Sequence, residues 1–123
     1  MEEVQSVFDK LYDCKIEKLQ YDCFNACFIL EALDLETNEK HNLIFNDVVS
    51  CLFAMTGFEG KICKEVFPEL SSILLKQISL NSKNKFISSY PLSYNICVEI
   101  MDRAILINAK SVLIDSVVYD LEI

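Results

Sequence analysis

The fold is decided by residues Tyr94–Ile123, which read YNICVEIMDRAILINAKSVLIDSVVYDLEI. The side chains of a β-strand alternate between its two faces, and apolar residues recur here at every second position. The first run places Ile96, Val98 and Ile100 on one face of an extended chain. A short polar break at residues 102–103 suits a turn, and the alternation resumes after it, which predicts a β-hairpin.

The apolar positions change parity twice in the second half of this stretch. Ile105 and Ile107 are odd-numbered, whereas the apolar residues that follow them are even-numbered. A slip of one residue would turn apolar side chains outward, so a bulge or bend near Ala109–Ser111 is predicted. A second change of parity at residues 115–116 predicts another bend before a final strand, Val117–Ile123.

Length and composition are those of one globular domain, residues 1–123. Of the 123 residues, 52% are hydrophobic and 24% are charged, and the chain contains only two glycines and two prolines. Such a chain can bury a core without support from a disulfide or a metal. No secretory signal is recognisable at the acidic start of the chain, so the six cysteines are predicted to be reduced thiols that pack as small apolar side chains.

The net charge of the chain favours some classes of binding partner and disfavours others. The formal net charge is −8, which argues against nucleic acid and against an anionic membrane, because both require a basic protein face. An acidic surface suits a basic protein partner. The acidic start and the lack of a long apolar run also predict a cytoplasmic protein.

The remaining elements are predicted from the spacing of apolar residues, which differs between strands and helices. Apolar residues spaced three and four apart predict a short amphipathic helix over residues 2–12. Cys14–Asp22 is predicted to be a strand with an irregularity. Phe24–Leu35 and Leu43–Phe53 are predicted to form a long antiparallel pair, with a bulge or a tight turn at residues 46–47.

The middle of the chain is ambiguous, because residues 68–78 fit either a helix or a strand and periodicity does not separate the two. Taken together, the patterns predict an α+β domain dominated by a curved antiparallel β-sheet of the sandwich or barrel type. A short N-terminal helix packs on one side of it, and a second helix near residues 68–78 is left open.

The sequence assigns no catalytic residue, no metal and no cofactor. Cys23 and Cys27 would lie roughly 13 Å apart along a strand, too far to share a zinc ion. His41 is the only histidine and falls in a polar turn, which argues against a cysteine–histidine nucleophile. Gly57 and Gly60 do not complete a phosphate-binding loop.

Five residues are candidates for contact with a partner, and they are selected for different reasons. Glu31 interrupts an otherwise apolar strand. Tyr90 and Tyr94 lie in a loop region where aromatic side chains either anchor a partner or pack locally. Asp120 and Glu122 place negative charge on the outer face of the last strand. That strand would also leave an exposed edge, which predicts a homodimer through the terminal strand.

Three stretches carry a family resemblance: DCKI at Asp13–Ile16, FNDV at Phe45–Val48 and ILINAKSVLI at Ile105–Ile114. In these stretches the chain resembles the YxiG-like family of small bacterial proteins, and it is similar to immunity proteins found beside polymorphic toxins. The resemblance implies a β-rich fold with a strand near Ile73–Leu80, and a protein that works by binding.

Two classes of function follow. The first is a protein-binding role, such as that of an immunity protein that covers a basic toxin with its acidic surface. The second is a small-molecule binder or enzyme with a pocket lined by cysteines and aromatic residues, in which Glu31 would be the first residue to test.

Overall fold

The computed structural model describes residues 2–55, 69–79, 93–101 and 103–121. Within these ranges the chain forms one helix followed by nine strands. Their bounds are α1 (Glu2–Asp9), β1 (Lys15–Asp22), β2 (Cys27–Asp34), β3 (Glu39–Asn46), β4 (Ser50–Met55), β5 (Leu70–Ser79), β6 (Ser93–Ile100), β7 (Arg103–Asn108), β8 (Ser111–Ile114) and β9 (Val117–Asp120).

The strands form two antiparallel sheets. One has the order β1-β2-β3-β8-β9 and the other the order β4-β7-β6-β5. Buried side chains of both sheets and of α1 belong to one hydrophobic cluster. The predicted α+β fold with mostly antiparallel strands is confirmed, and neither sheet closes into a barrel. In the described ranges no helix is long and apolar enough to span a membrane.

One bent, two-stranded ribbon connects the sheets. The chain runs from β3 into β4 and returns from β7 into β8, and β3 pairs with β8 in one sheet while β4 pairs with β7 in the other. At the bend, the three residues Asp47–Val49 face the two residues 109–110, so the ribbon contains a bulge. Backbone hydrogen bonds of 2.9 and 3.1 Å on the two sides of the bulge hold the bend.

This ribbon confirms the bend predicted near Ala109–Ser111 and corrects the predicted long pair. β2 pairs with β3, as expected for the first half of that pair, but the second half crosses to the other sheet. The cause is local, because Asp47 has a φ of 53°, which ends the strand at the position predicted for a bulge or turn. Ile107 before the bend and Val112 after it are both fully buried in the same core.

The ambiguous segment is a strand. β5 pairs with β6 through two irregularities in register, and Ile73 lies opposite the buried Val98. The helix considered for residues 68–78 is therefore wrong over residues 70–78, and the strand implied by the family resemblance is confirmed. Residue 68 lies outside the described ranges.

Helix α1 covers the free side of β5. It ends at Asp9, earlier than the predicted residue 12, and buries Val4 and Phe8. The Phe8 ring lies 6.3 Å from the Phe45 ring. The side chain of Gln5 donates to Ile73 O and accepts from Leu75 N, both at 2.8 Å. These are the two bonds that a neighbouring strand would make, so α1 occupies an edge at which another chain would otherwise pair.

Candidate functional site

The predicted contact residues are separated in the structure. Glu31 on β2 and Asp120 on β9 both lie on the outer face of the five-stranded sheet. Tyr94 belongs to β6 and shares the inward face of that strand, where only 3% of its surface is exposed. Its ring therefore packs inside the molecule, because Tyr94 lies within β6 and not in a loop. Tyr90 and Glu122 lie outside the described residues.

An apolar row crosses the outer face that carries Glu31 and Asp120. Its members are directly paired across four neighbouring strands: Ile29, Ile44, Leu113 and Val118. Glu31 lies on one side of the row and Asp120 on the other. The row ends on β9, where Val118 is 67% exposed. The edge of the sheet thus presents an apolar side chain between polar neighbours.

A pocket built around Glu31 would need this carboxylate to be enclosed. Instead Glu31 is half-exposed, with its Oε2 3.9 Å from Nζ of Lys18, a surface pair of the kind that contributes about 0–1 kcal/mol. An open depression of about 460 Å³ lies elsewhere, on the helix, and its lining residues are polar: Gln5, Ser6, Asp9 and Lys10. Among the described residues, neither cysteines nor aromatic residues line this depression.

His41 is held by a partner distant in sequence. Its Nδ1 lies 2.7 Å from Oδ2 of Asp115, and Oδ1 of Asp115 accepts a hydrogen bond of 2.8 Å from Asn42 N. The Asp115 N–H donates in return to the Asn42 carbonyl at 3.0 Å. Asp115 and Ser116 both have positive φ, which suits the two-residue turn between β8 and β9. The histidine, predicted in an exposed turn, is half-buried on β3 and fixes this turn.

Of the described thiols, those of Cys14, Cys27 and Cys97 are buried and that of Cys51 is half-buried. Burial raises the pKa of Cys14, Cys27, Cys51 and Cys97, and raises that of Cys51 to about 11. A thiol with a raised pKa is a poor nucleophile and a poor metal ligand at neutral pH. Cys23 is exposed, in contrast to its predicted packing, and Cys63 lies outside the described residues. No group of three or more potential metal ligands is found in the described part of the chain.

Exposed aromatic side chains form a surface that the sequence patterns did not predict. Phe24 is 96% exposed in the loop between β1 and β2, and Phe53 on β4 is 60% exposed. Tyr21 at the end of β1 and Val49 in the bulge before β4 are also exposed. We refer to these four residues as the aromatic edge. Phe24 was predicted within a strand, and the signal for its loop was Asp22, a residue type that favours turns through its side chain.

Contacts with shared neighbours bring the members of the aromatic edge together. The ring of Phe53 lies 6.0 Å from the ring of the fully buried Phe28. Phe28 is directly opposite Tyr21 in the β1–β2 pair, so both side chains are on one face. The Val48 N–H donates to the Ala26 carbonyl at 2.8 Å, which ties the loop of Phe24 to the start of β4.

Two carboxylates lie at the ends of this surface. Asp22 begins the loop that carries Phe24, and hydrogen bonds from Asn25 and Phe24 hold the pKa of Asp22 below its ordinary value. Asp47 is exposed in the bulge beside Val48. The aromatic edge therefore combines apolar rings with negative charge.

The comparison with known families gives one match. A family model described as YxiG-like protein matches residues 4–119, which is nearly the whole chain. No curated protein matches the sequence. The match confirms the resemblance to the YxiG-like family carried by the three sequence stretches, and the chain belongs to that family.

Proposed function

We propose that this YxiG-like protein works by binding a basic protein partner, in the manner of an immunity protein that neutralises a toxin in the cytoplasm. The observation that carries the proposal is the exposure of large apolar side chains on a strongly acidic chain. Phe24 and Phe53 are 96% and 60% exposed. Burial in an interface would remove these apolar rings from water, which is favourable. A partner that covers these side chains explains their position.

The charge of the chain supports a basic partner. Nineteen acidic residues stand against eleven lysines and arginines. Complementary charge accelerates the encounter of two proteins and disfavours acidic competitors. The similarity to immunity proteins found beside polymorphic toxins supports a toxin as the class of partner, since such an inhibitor has to associate rapidly with its target.

Self-association through β9 is a second interaction that we propose. β9 ends the five-stranded sheet among the described residues, and both Val117 and Val118 are exposed there. Two copies related by a twofold axis would pair identical strands antiparallel. The apolar row that ends at Val118 would then continue from one copy into the other.

Co-expression tests the proposed function. The gene next to the one encoding this chain is expressed in a heterologous bacterium, alone and together with this chain. We expect the basic product of that gene to arrest growth, and this chain to restore growth and to co-elute with the product in gel filtration. An unrelated acidic protein of similar size is the control. Growth arrest that persists, with no complex, would reject the proposal.

A further inference from the structure

We infer that the aromatic edge receives the partner, and that the partner presents arginine or lysine side chains interspersed with apolar side chains at this site. The identity of the partner as a toxin rests on the proposed function. The surface and the chemistry that it recognises rest on the geometry of Tyr21, Phe24, Val49 and Phe53.

Phe24 is presented by a loop that is fixed before any partner arrives. Oδ1 of Asp22 accepts hydrogen bonds from Phe24 N at 3.0 Å and from Asn25 N at 3.2 Å. Oδ2 of Asp22 accepts from Nδ2 of Asn25 at 2.7 Å. Ala26, with a φ of 51°, closes the loop and accepts the bond from Val48 N. A loop whose backbone is already fixed loses little conformational entropy on binding, which favours the residue at its tip as an interface anchor.

The surface continues from the loop onto the strands. Phe53 and Tyr21 flank the buried Phe28, through a ring contact of 6.0 Å and a cross-strand pairing, respectively. Leu19 extends the exposed face of β1 next to Tyr21. A partner that covers Phe24 therefore meets further apolar surface on both β1 and β4.

The negative charge at the aromatic edge favours a partner with cationic side chains. The segments 19–39 and 41–60, which supply the whole aromatic edge, contain no lysine and no arginine. Asp22 and Asp47 lie within these segments at the loop and at the bulge. Carboxylates attract cationic side chains, and a guanidinium or ammonium group also binds over the face of an aromatic ring.

On the outer face of the five-stranded sheet, which carries the apolar row, acidic residues are paired with lysines. On the five-stranded sheet, Glu31 is paired with Lys18 and Glu17 with Lys40, each at 3.9 Å. Acids that already have a lysine beside them attract a cationic partner less than Asp22 and Asp47, for which no ion pair is found among the described residues. The apolar row that ends at Val118 therefore serves as the internal comparison for the aromatic edge.

Three synthetic peptides test the inference on the purified full chain. The probe alternates four arginines with four leucines. One control peptide replaces the arginines by glutamates, and the other replaces the leucines by serines. Binding is followed by two-dimensional ¹H–¹⁵N NMR. We expect the arginine–leucine peptide to shift the amide signals of Phe24, Asn25, Asp47, Val49 and Phe53. We also expect weaker binding of the arginine–serine peptide and no binding of the glutamate–leucine peptide.

Substitutions then separate the rings from the charge. Phe24→Ala should weaken binding of the arginine–leucine peptide about tenfold or more, as expected for an anchor residue. Asp47→Asn removes the charge and retains a residue type that tolerates positive φ, and should weaken binding severalfold. Tyr12→Ala removes an exposed aromatic side chain outside the aromatic edge, so it is the matched control and should leave the affinity unchanged. Equal urea midpoints for Phe24→Ala and the wild type show that the fold is kept.

The outcomes distinguish this inference from the proposed function. No binding of the arginine–leucine peptide, equal binding of the glutamate–leucine peptide, or shifts confined to β9 would overturn the inference. Growth restored by Phe24→Ala as well as by the wild type in the co-expression assay would overturn it too, while the proposed function would stand. If the wild type fails to restore growth, the proposed function is lost, and peptide binding at the aromatic edge still decides the inference.

Discussion

Removal of the Gln5 side chain should loosen the helix from the edge of the four-stranded sheet. Gln5→Ala deletes the two 2.8 Å hydrogen bonds to Ile73 O and Leu75 N, and a third of 2.9 Å to Asp9. At about 1 kcal/mol for each bond to the strand and about 0.3 kcal/mol for the exposed bond along the helix, we expect a loss of about 2 kcal/mol in the free energy of unfolding. For a chain of this length the melting temperature should fall by about 8 °C.

Urea unfolding measures the change in free energy, and hydrogen exchange at the Leu75 amide measures its location. Ser6→Ala is the matched control, because Ser6 is an exposed neighbour on the same helix, and it should change the stability by less than about 0.5 kcal/mol. The Leu75 amide should exchange faster in Gln5→Ala than in Ser6→Ala.

A second variant of the same residue adds a dependence on pH. Gln5→Glu retains an oxygen for the Leu75 N–H and loses the donor to Ile73 O. The ionised carboxyl then faces a carbonyl oxygen and Asp9, so its folded-state pKa rises above the unfolded value of about 4.3. The deficit relative to the wild type should be largest above the raised pKa, and should close as the pH falls below about 4. A loss below about 0.5 kcal/mol in Gln5→Ala, or a Leu75 amide that stays protected, would refute the role given to Gln5.

Three further predictions concern charge, thiols and assembly. The protonated Glu69 carboxyl donates a hydrogen bond to the Asp13 carboxylate, which raises the pKa of Glu69. The folded state of the wild type therefore loses stability as the pH rises from the ordinary glutamate range through that raised value. Glu69→Gln should therefore be more stable than the wild type in urea at neutral pH and equally stable at acid pH, and a difference that is the same at both pH values would contradict this. The pKa of Cys51 is about 11 and Cys23 is exposed, so iodoacetamide at mildly alkaline pH should modify Cys23 faster than Cys51, as followed by mass spectrometry. Equal rates of modification of these two thiols would contradict this. Pairing through β9 predicts a sedimentation coefficient that rises with protein concentration in the wild type and stays constant in Val118→Lys, whereas a constant value in the wild type would exclude self-association.

The periodicity of the last thirty residues predicted the bend but not where it leads. The parity change between Ile107 and Val112 is local information, and it required both residues to face a core. The crossing to a second sheet depends on pairing with β3 and β4, which lie far earlier in the chain. The segment 70–79 shows the same limit, because Ile73, Leu74 and Leu75 are apolar in succession and only pairing with β6 decides between helix and strand.

The candidate surface was less predictable than the fold. Phe24 and Tyr94 are both aromatic residues near turn-forming neighbours, and the sequence suggested a strand for the first and a loop for the second. In the structure the hydrogen bonds of Asp22 place Phe24 in a loop, while pairing within β5-β6-β7 buries Tyr94. The excess of acidic residues was evident from the composition. The position of Asp22 and Asp47 beside exposed aromatic side chains was not, because it depends on the bend at Asp47.

Calorimetric titration with the basic protein encoded by the neighbouring gene tests most directly that this chain works by binding. The titration is made at about 50 mM and about 500 mM salt, between which the range of charge interactions falls about threefold. We predict saturable binding that weakens at the higher salt concentration, and that weakens about tenfold or more in Phe24→Ala at either concentration. Absence of binding, or an affinity that neither salt nor Phe24→Ala changes, would contradict the account.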